Sequence, residues 1–280
     1  QPAIQPAKSA QVVRDPAEIE YRTSRLRHVC GLISRSRWPL CPVNGAVVYV
    51  PITELEREEI AQQVGLNARH DLRTAEETFQ LQFPVYGLLG RVEMLPGATE
   101  FLTRFAADRR TQRLGKGYPL VPDVPPASVA NSVEANTSWI LSSLLPYWIF
   151  RNFQIERAGE NVNATTRTNG ELFQFLHAVR LRSSGLGRMM SRLAEGGEVR
   201  FAGSYLTAAL PELGSTPLFL DEFFKKLTST QGYVAWTADA YAQDARYRNS
   251  TRMGYLFVGA IVLSVLALGI YVGYELFEKG

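Results

Sequence analysis

The chain has 280 residues, of which 46% are hydrophobic and 20% charged, enough for one or two folded domains with a sizeable core. A formal net charge of +3, spread over arginines that alternate with glutamates, gives no basic face and argues against a nucleic-acid partner. The two cysteines, Cys30 and Cys41, form no CxxC pair, which argues against a disulfide framework and a zinc site. Residues 1–20 are polar and proline-bearing, read as an extended linker, and contain no signal peptide. From Asp15 to Trp38 the spacing of Ile19, Leu26, Val29, Leu32 and Ile33 predicts an amphipathic helix, with Asp15-Pro16 as cap and first turn. Pro39 and Pro42 end it, and Asn44-Gly45 turns the chain into Ala46 to Ile52, an apolar β-branched run expected to be a buried parallel strand.

Thr53 followed by Glu56 has the capping-box pattern for a helix that runs to Phe79, with a break expected at Gly65. A second strand is expected over Phe83 to Leu89, and a further helix from about Ala98 to Ala107. Strand, helix, strand, helix is the order of an α/β domain, here over residues 21–125. Only two strands are legible, and two bury too little to stand alone. The expected sheet is therefore incomplete, finished by polypeptide upstream of Gln1 or by a partner chain.

Residues 109–126, rich in Gly and Pro, read as a long loop. A mainly helical region follows over 126–252. Asn131 to Ile155 predicts a helix interrupted at Pro146. After a polar stretch from Glu156 to Asn169, Leu172, Phe173, Leu176, Val179 and Leu186 mark one stripe of an expected surface helix over Gly170 to Leu193. Val199 to Leu210 reads as a strand returning to the sheet, and the run from Leu218 as a short amphipathic helix. Residues 253–274 are apolar all round, with Met253, Tyr255, Tyr271 and Tyr274 near the ends. At about 1.5 Å per residue they reach roughly 33 Å, the length of a transmembrane helix. Arg246, Arg248 and Arg252 precede the span and Glu275 and Glu278 follow it, which predicts a cytoplasmic body and a periplasmic tail over 275–280.

No residue pattern announces catalysis. A GxxxxGK[ST] phosphate loop is absent, and Gly115-Lys116-Gly117 lacks the upstream glycine and the following hydroxyl, so it reads as a flexible loop. His28, His70 and His177 sit on predicted helices with no nucleophile elbow, and Glu54, Glu56, Glu58 and Glu59 suit a helix start. No metal site is expected. In nucleotide-binding sheets ligands sit beyond the carboxyl ends of the strands. Here that place holds Gly90-Arg91-Val92-Glu93, in which Arg91 and Glu93 stand as weak substitutes for a guanine-reading Asn/Thr-Lys-x-Asp sequence.

Three segments resemble one family. Cys41 to Val48 resembles its PLNG segment entering a strand, Pro84 to Gly97 resembles its PVY…TK.D.L.GF segment, and Phe201 to Leu206 resembles its RGVYF strand. The family is IcmF/TssM, inner-membrane proteins of type VI secretion systems, and the resemblance runs from about Arg22 to Tyr274. It implies an NTPase-like α/β domain with a helical extension, held at the bacterial inner membrane in an oligomeric complex that anchors baseplate and tail. A DotU/TssL-type subunit is an implied partner, and the family's phosphate-binding segment falls upstream of Gln1. The expected function is a structural membrane subunit with no cofactor and no chemistry in this chain, docking through aromatics at Trp139, Tyr147, Trp148 and Phe150. The alternative is a nucleotide hydrolase whose phosphate-binding loop lies upstream, with Arg91 and Glu93 lining the site. A generic tail-anchored adaptor is a third reading.

Overall fold

The computed structural model describes residues 15–105, 107–120, 126–153, 162–195, 199–210 and 217–278. The expected linker up to residue 14, the stretch 156–161 and residues 279–280 lie outside these residues. The chain divides into two units, Gln1–Ala235 and Trp236–Gly280.

The first unit opens with α1 (Pro16–Arg37), capped as expected by Asp15, whose Oδ1 accepts from the Ala17 N–H at 3.1 Å. Its buried side differs from the expected stripe. Thr23 and Cys30 are buried and Leu26 and Ile33 pack on the core, whereas Val29 and Leu32 are exposed. Thr23 Oγ1 lies 2.9 Å from His70 Nε2 on the next helix, so that histidine links two helices. β1 (Ala46–Pro51) then joins the sheet at its edge, and its side chains alternate: Val50 is buried, while Val47 and Tyr49 face out. The expectation of a fully buried strand is corrected, because an edge strand has a neighbour on one side only.

Ile52–Glu56 forms a tight 3-10 turn, and α2 (Glu58–Phe79) starts after Arg57, so Thr53 caps nothing. Packing supplies what a cap would have: Ile52 and Leu55 are wholly buried. Nor does α2 break at Gly65. A Cβ there would strike the backbone carbonyl of Met189, so the glycine is where two helices cross at close range. The short β2 (Leu81–Gln82) leads to β3 (Pro84–Gly90), whose seven residues are all buried. α3 (Ala98–Thr103) ends earlier than expected, because the Arg110 side chain donates to the Thr103 and Phe105 carbonyls and turns the chain into α4 (Ala107–Arg110).

Leu114–Gly117, expected as loop, is a strand, β4. α5 (Pro126–Trp139), a π-helical turn over Ile140–Leu144 and α6 (Leu145–Arg151) together make the interrupted helix foreseen from Pro146. α7 (Val162–Ala194) is 33 residues long and is no surface helix. Leu172, Phe175, Leu176, Val179, Leu186, Met189, Met190 and Leu193 are all buried, and α2, α3 and α5 pack around it, while Phe173 of the expected stripe is 63% exposed. Glu56 and Glu58, ahead of and at the start of α2, pair with Arg182 at 2.7 Å and Arg188 at 2.8 Å on α7.

β5 (Arg200–Leu206) returns to the sheet as foreseen, and β6 (Ala208–Ala209) pairs with β7 (Pro217–Leu218) before α8 (Asp221–Ser229). The sheet order is β1-β3-β5-β4, parallel except for β4, which runs antiparallel along β5 from Leu114↔Leu206 to Gly117↔Gly203. One strand of the sheet, β4, thus comes from this chain beyond those legible in sequence, and β3 has a partner on each side, β1 and β5, within the chain. One face of the sheet carries the large core. The other carries a small aromatic cluster in which Phe223 of α8 meets the Tyr86 ring edge-on at 5.8 Å and the Tyr205 ring at 5.4 Å.

The second unit is α9 (Ala238–Glu278), a continuous helix of 41 residues. Thr237 starts it, its Oγ1 accepting from the Ala240 N–H at 3.2 Å. Over Ala238–Ile270 it is long and apolar enough to cross a membrane. Met253 and Tyr255 are exposed, and Tyr271 and Tyr274 continue the helical backbone. The hydroxyl of Ser264 donates to the Ala260 carbonyl at 2.8 Å, which meets the requirement that polar groups in hydrocarbon be satisfied within the helix.

Candidate functional site

The loop after β3 is tied into the fold through its charges. Arg91 adopts a left-handed conformation, φ 61°, and the backbone closes a short 3-10 turn over Val92–Met94. Glu93 Oε2 accepts from the Ala209 N–H of β6 at 3.1 Å. Thr207 reinforces the same junction, its N–H donating to the Leu89 carbonyl at 2.7 Å and its hydroxyl to the Leu218 carbonyl at 3.0 Å. Tyr49 stands beside the loop. Burial pushes its phenol up, the Glu93 carboxylate pushes it further, and Arg91 pulls it back. A carboxylate engaged this way holds β6 against the end of β3, a structural task that competes with reading a base.

A cavity of about 140 Å³ opens at the same end of the sheet, on the β4 side, where Leu114 sits opposite Leu206. Phe105, Leu144, Trp148 and Phe219 supply apolar wall, and Arg109 and Arg113 supply charge. The walls are braced by aromatic contacts, Phe105 to Phe219 at 5.3 Å and Phe105 to Trp148 at 5.9 Å between ring centroids. The segment carrying the arginines is braced by backbone bonds, from Phe219 N–H to the Arg110 carbonyl at 2.7 Å and from Glu222 N–H to the Thr111 carbonyl at 3.2 Å.

One of the expected aromatic residues reaches this cavity. Trp148 lines it, half-buried, while Tyr147, Phe150 and Trp139 are exposed. The π-helical turn before Pro146 places Leu145, Pro146 and Ile149 in the core and turns Tyr147 and Phe150 outward. Cations stack on the rings: Arg109 lies 5.1 Å from the centroid of Trp148, and Arg151 lies 5.7 Å from Trp148 and 5.6 Å from Tyr147. Lys116 lies 5.2 Å from the ring of Trp139 and donates to Asn136 Oδ1 at 2.6 Å. Behind them, Tyr118, Thr137 and Ser204 satisfy one another through hydroxyl contacts of 3.0 to 3.3 Å.

Among the described residues, Arg109, Arg113 and Arg151 have no carboxylate within ion-pairing distance, unlike Arg104, which Glu100 meets at 2.5 Å. Arg109 and Arg113 fell within a segment read only as loop. The signal that marks them is local: Arg109, Arg110 and Arg113 lie in one short stretch with no acid between them.

A mostly parallel α/β unit and, among the described residues, one helix long and apolar enough to cross a membrane define the class as an α/β protein with a candidate membrane anchor. The chain belongs to the family of the IcmF-related N-terminal domain, which matches residues 20–249, in keeping with the segments that resemble IcmF/TssM proteins. Membership implies partners within a secretion complex. No curated protein and no solved structure matches the chain.

Proposed function

We propose that this chain is a structural subunit of a type VI-like secretion membrane complex, anchored in the bacterial inner membrane by α9 and docking baseplate or tail components through its first unit. The observation that carries the reading is the exposed aromatics Trp139, Tyr147 and Phe150 of α5 and α6, with Arg109 and Arg151 stacked on the neighbouring Trp148 and Arg151 on Tyr147, which have the residue types of an interaction hot spot. A DotU/TssL-type subunit is the expected membrane neighbour. Arg246, Arg248 and Arg252 ahead of the apolar stretch support a cytoplasmic first unit and a periplasmic C-terminus by the positive-inside rule.

The test is a triple substitution, Trp139→Ala, Tyr147→Ala and Phe150→Ala, in the natural protein in its own cells. Co-purification of baseplate and tail components and secretion are both expected to fall while membrane insertion is kept; undiminished co-purification would reject the docking role. A compartment-sensitive reporter fused after Gly280 tests orientation, with activity expected only outside the cytoplasm. The hydrolase reading makes the opposite demand. Nucleotide bound by the natural protein and lost on substituting Arg91 and Glu93 would replace the docking role with an enzymatic one.

A further inference from the structure

We infer that the cavity beside Trp148 receives a single large apolar side chain from an acidic segment of a protein partner. This inference rests on the docking role and adds the chemistry of the occupant.

Charge selects the segment. Arg109 and Arg113 flank the cavity and Arg151 reaches the same tryptophan from the end of α6, and no carboxylate of the described residues answers any of the three. Guanidinium groups stacked on a ring are already ordered, so carboxylates that engage them incur less of the entropic cost of fixing a long side chain. Their supports are ordered as well. The Arg110 side chain holds the carbonyls at the end of α3, and backbone bonds from Phe219 and Glu222 hold the stretch between α4 and β4.

Size selects the anchor. About 140 Å³, walled by Phe105, Leu144, Trp148 and Phe219, suits one leucine or phenylalanine side chain, and a large apolar anchor ringed by charged contacts is how hot spots are built. An anionic lipid shares the charge but not the size, since most methylenes of an acyl chain would stay outside. The occupant is therefore peptide, with one large apolar residue and acids on both sides.

The test uses the full chain in detergent micelles as bait for a displayed library of random peptides, with the Arg109→Glu/Arg113→Glu protein as counter-selection. Enriched peptides are expected to carry one Phe or Leu among Asp and Glu, and to bind the charge-reversed protein roughly tenfold or more weakly. Arg109→Lys/Arg113→Lys, which keeps charge but loses both forks and the stacking of Arg109 on Trp148, is expected to bind with intermediate strength. Unchanged thermal unfolding of the variants separates lost binding from lost fold. Enrichment of basic or neutral peptides, binding indifferent to the arginines, no enrichment, or arginine-dependent binding of phosphatidylglycerol vesicles in place of peptide would each overturn the inference. If the library fails while the Trp139, Tyr147 and Phe150 substitutions still abolish co-purification, the acidic-anchor inference falls and the docking role stands. If those substitutions leave co-purification intact, the docking role falls as well.

Discussion

Two regions at the carboxyl end of one sheet, the loop after β3 and the corner between α4 and β4, both carry charge and have used it in opposite ways. In the loop, Glu93 spends its carboxylate on the Ala209 N–H, and Arg91 and Glu93 act on the Tyr49 phenol with opposite sign. In the corner, Arg109 and Arg113 stand beside apolar walls with no acid of the described residues to answer them. A charge answered within the chain contributes to holding the fold, whereas one left beside exposed rings is available to a partner. Proximity to the place where α/β sheets bind ligands is thus a weaker guide than asking which side chains are already occupied.

The largest effect is expected from the backbone of the loop. Gly97 closes the loop at φ 73°, and a Cβ there would run into the backbone carbonyl of Glu171 on α7. Gly97→Ala is expected to destabilise the protein by about 2–5 kcal/mol, combining left-handed strain with overpacking, as read by urea unfolding of the full chain in detergent. A smaller loss would mean that the loop is not pinned and that Glu93 is freer than its bond implies.

The sheet also carries two buried phenols, Tyr86 and Tyr205, and a half-buried one, Tyr118. Burial pushes Tyr86, Tyr118 and Tyr205 up, against the hydrogen bonds that join Tyr86 to Thr230 and Tyr118 to Ser204 and Thr137, and against the Arg113 charge at Tyr86 and Tyr205. The unfolded phenols lose their protons near about pH 10 while the folded ones keep theirs, so stability is intact below that pH and falls as pH rises through the raised folded values. Each tyrosine contributes up to about 1.4 kcal/mol per pH unit across that window. Denaturation midpoints measured alongside phenolate absorbance check this, with a shallower fall expected for Tyr205→Phe, which also removes a buried hydroxyl that has no partner among the described residues.

Smaller again is Glu93→Ala, expected to cost about 1 kcal/mol, because Ala209 is exposed and water replaces the lost acceptor. The same change is expected to lower the Tyr49 phenol toward its ordinary value, visible in an absorbance titration. Least of all in stability is the double change Arg109→Ser and Arg113→Ser, expected to stay within about 0.5 kcal/mol of the parent in urea unfolding while co-purification of partners drops. A large stability loss there would show that the corner's charges serve the fold, and the contrast between the two regions would vanish.

Much of the architecture was legible because it is written locally. Asp15-Pro16 caps α1 as its residue types require, the β-branched run at β1 and the short apolar run at β3 are strands, and Pro146 falls where the helix is interrupted. The misses share a cause. β4 has the composition of a loop and becomes a strand only because β5 offers it a ladder. Gly65 looks like a helix breaker and instead lets α7 approach. The aromatics at positions 139, 147, 148 and 150 were seen, but the arginines that stack on Trp148 and Tyr147, and the cavity beside them, were not.

Residue chemistry along the chain alone settled that there is an apolar span at the C-terminal side, an α/β order before it, and a family likeness carried by strand-entry segments. Those features depend on neighbours a few positions away and on the cost of leaving backbone groups unpaired in hydrocarbon. Tertiary structure decided which helix is central, that four strands of this chain make the sheet, that Glu93 is engaged, and that Arg109 and Arg113 meet Trp148 at a cavity. These are contacts between segments far apart in the chain, set by packing of a common core, and no local pattern encodes which distant surface a side chain will meet.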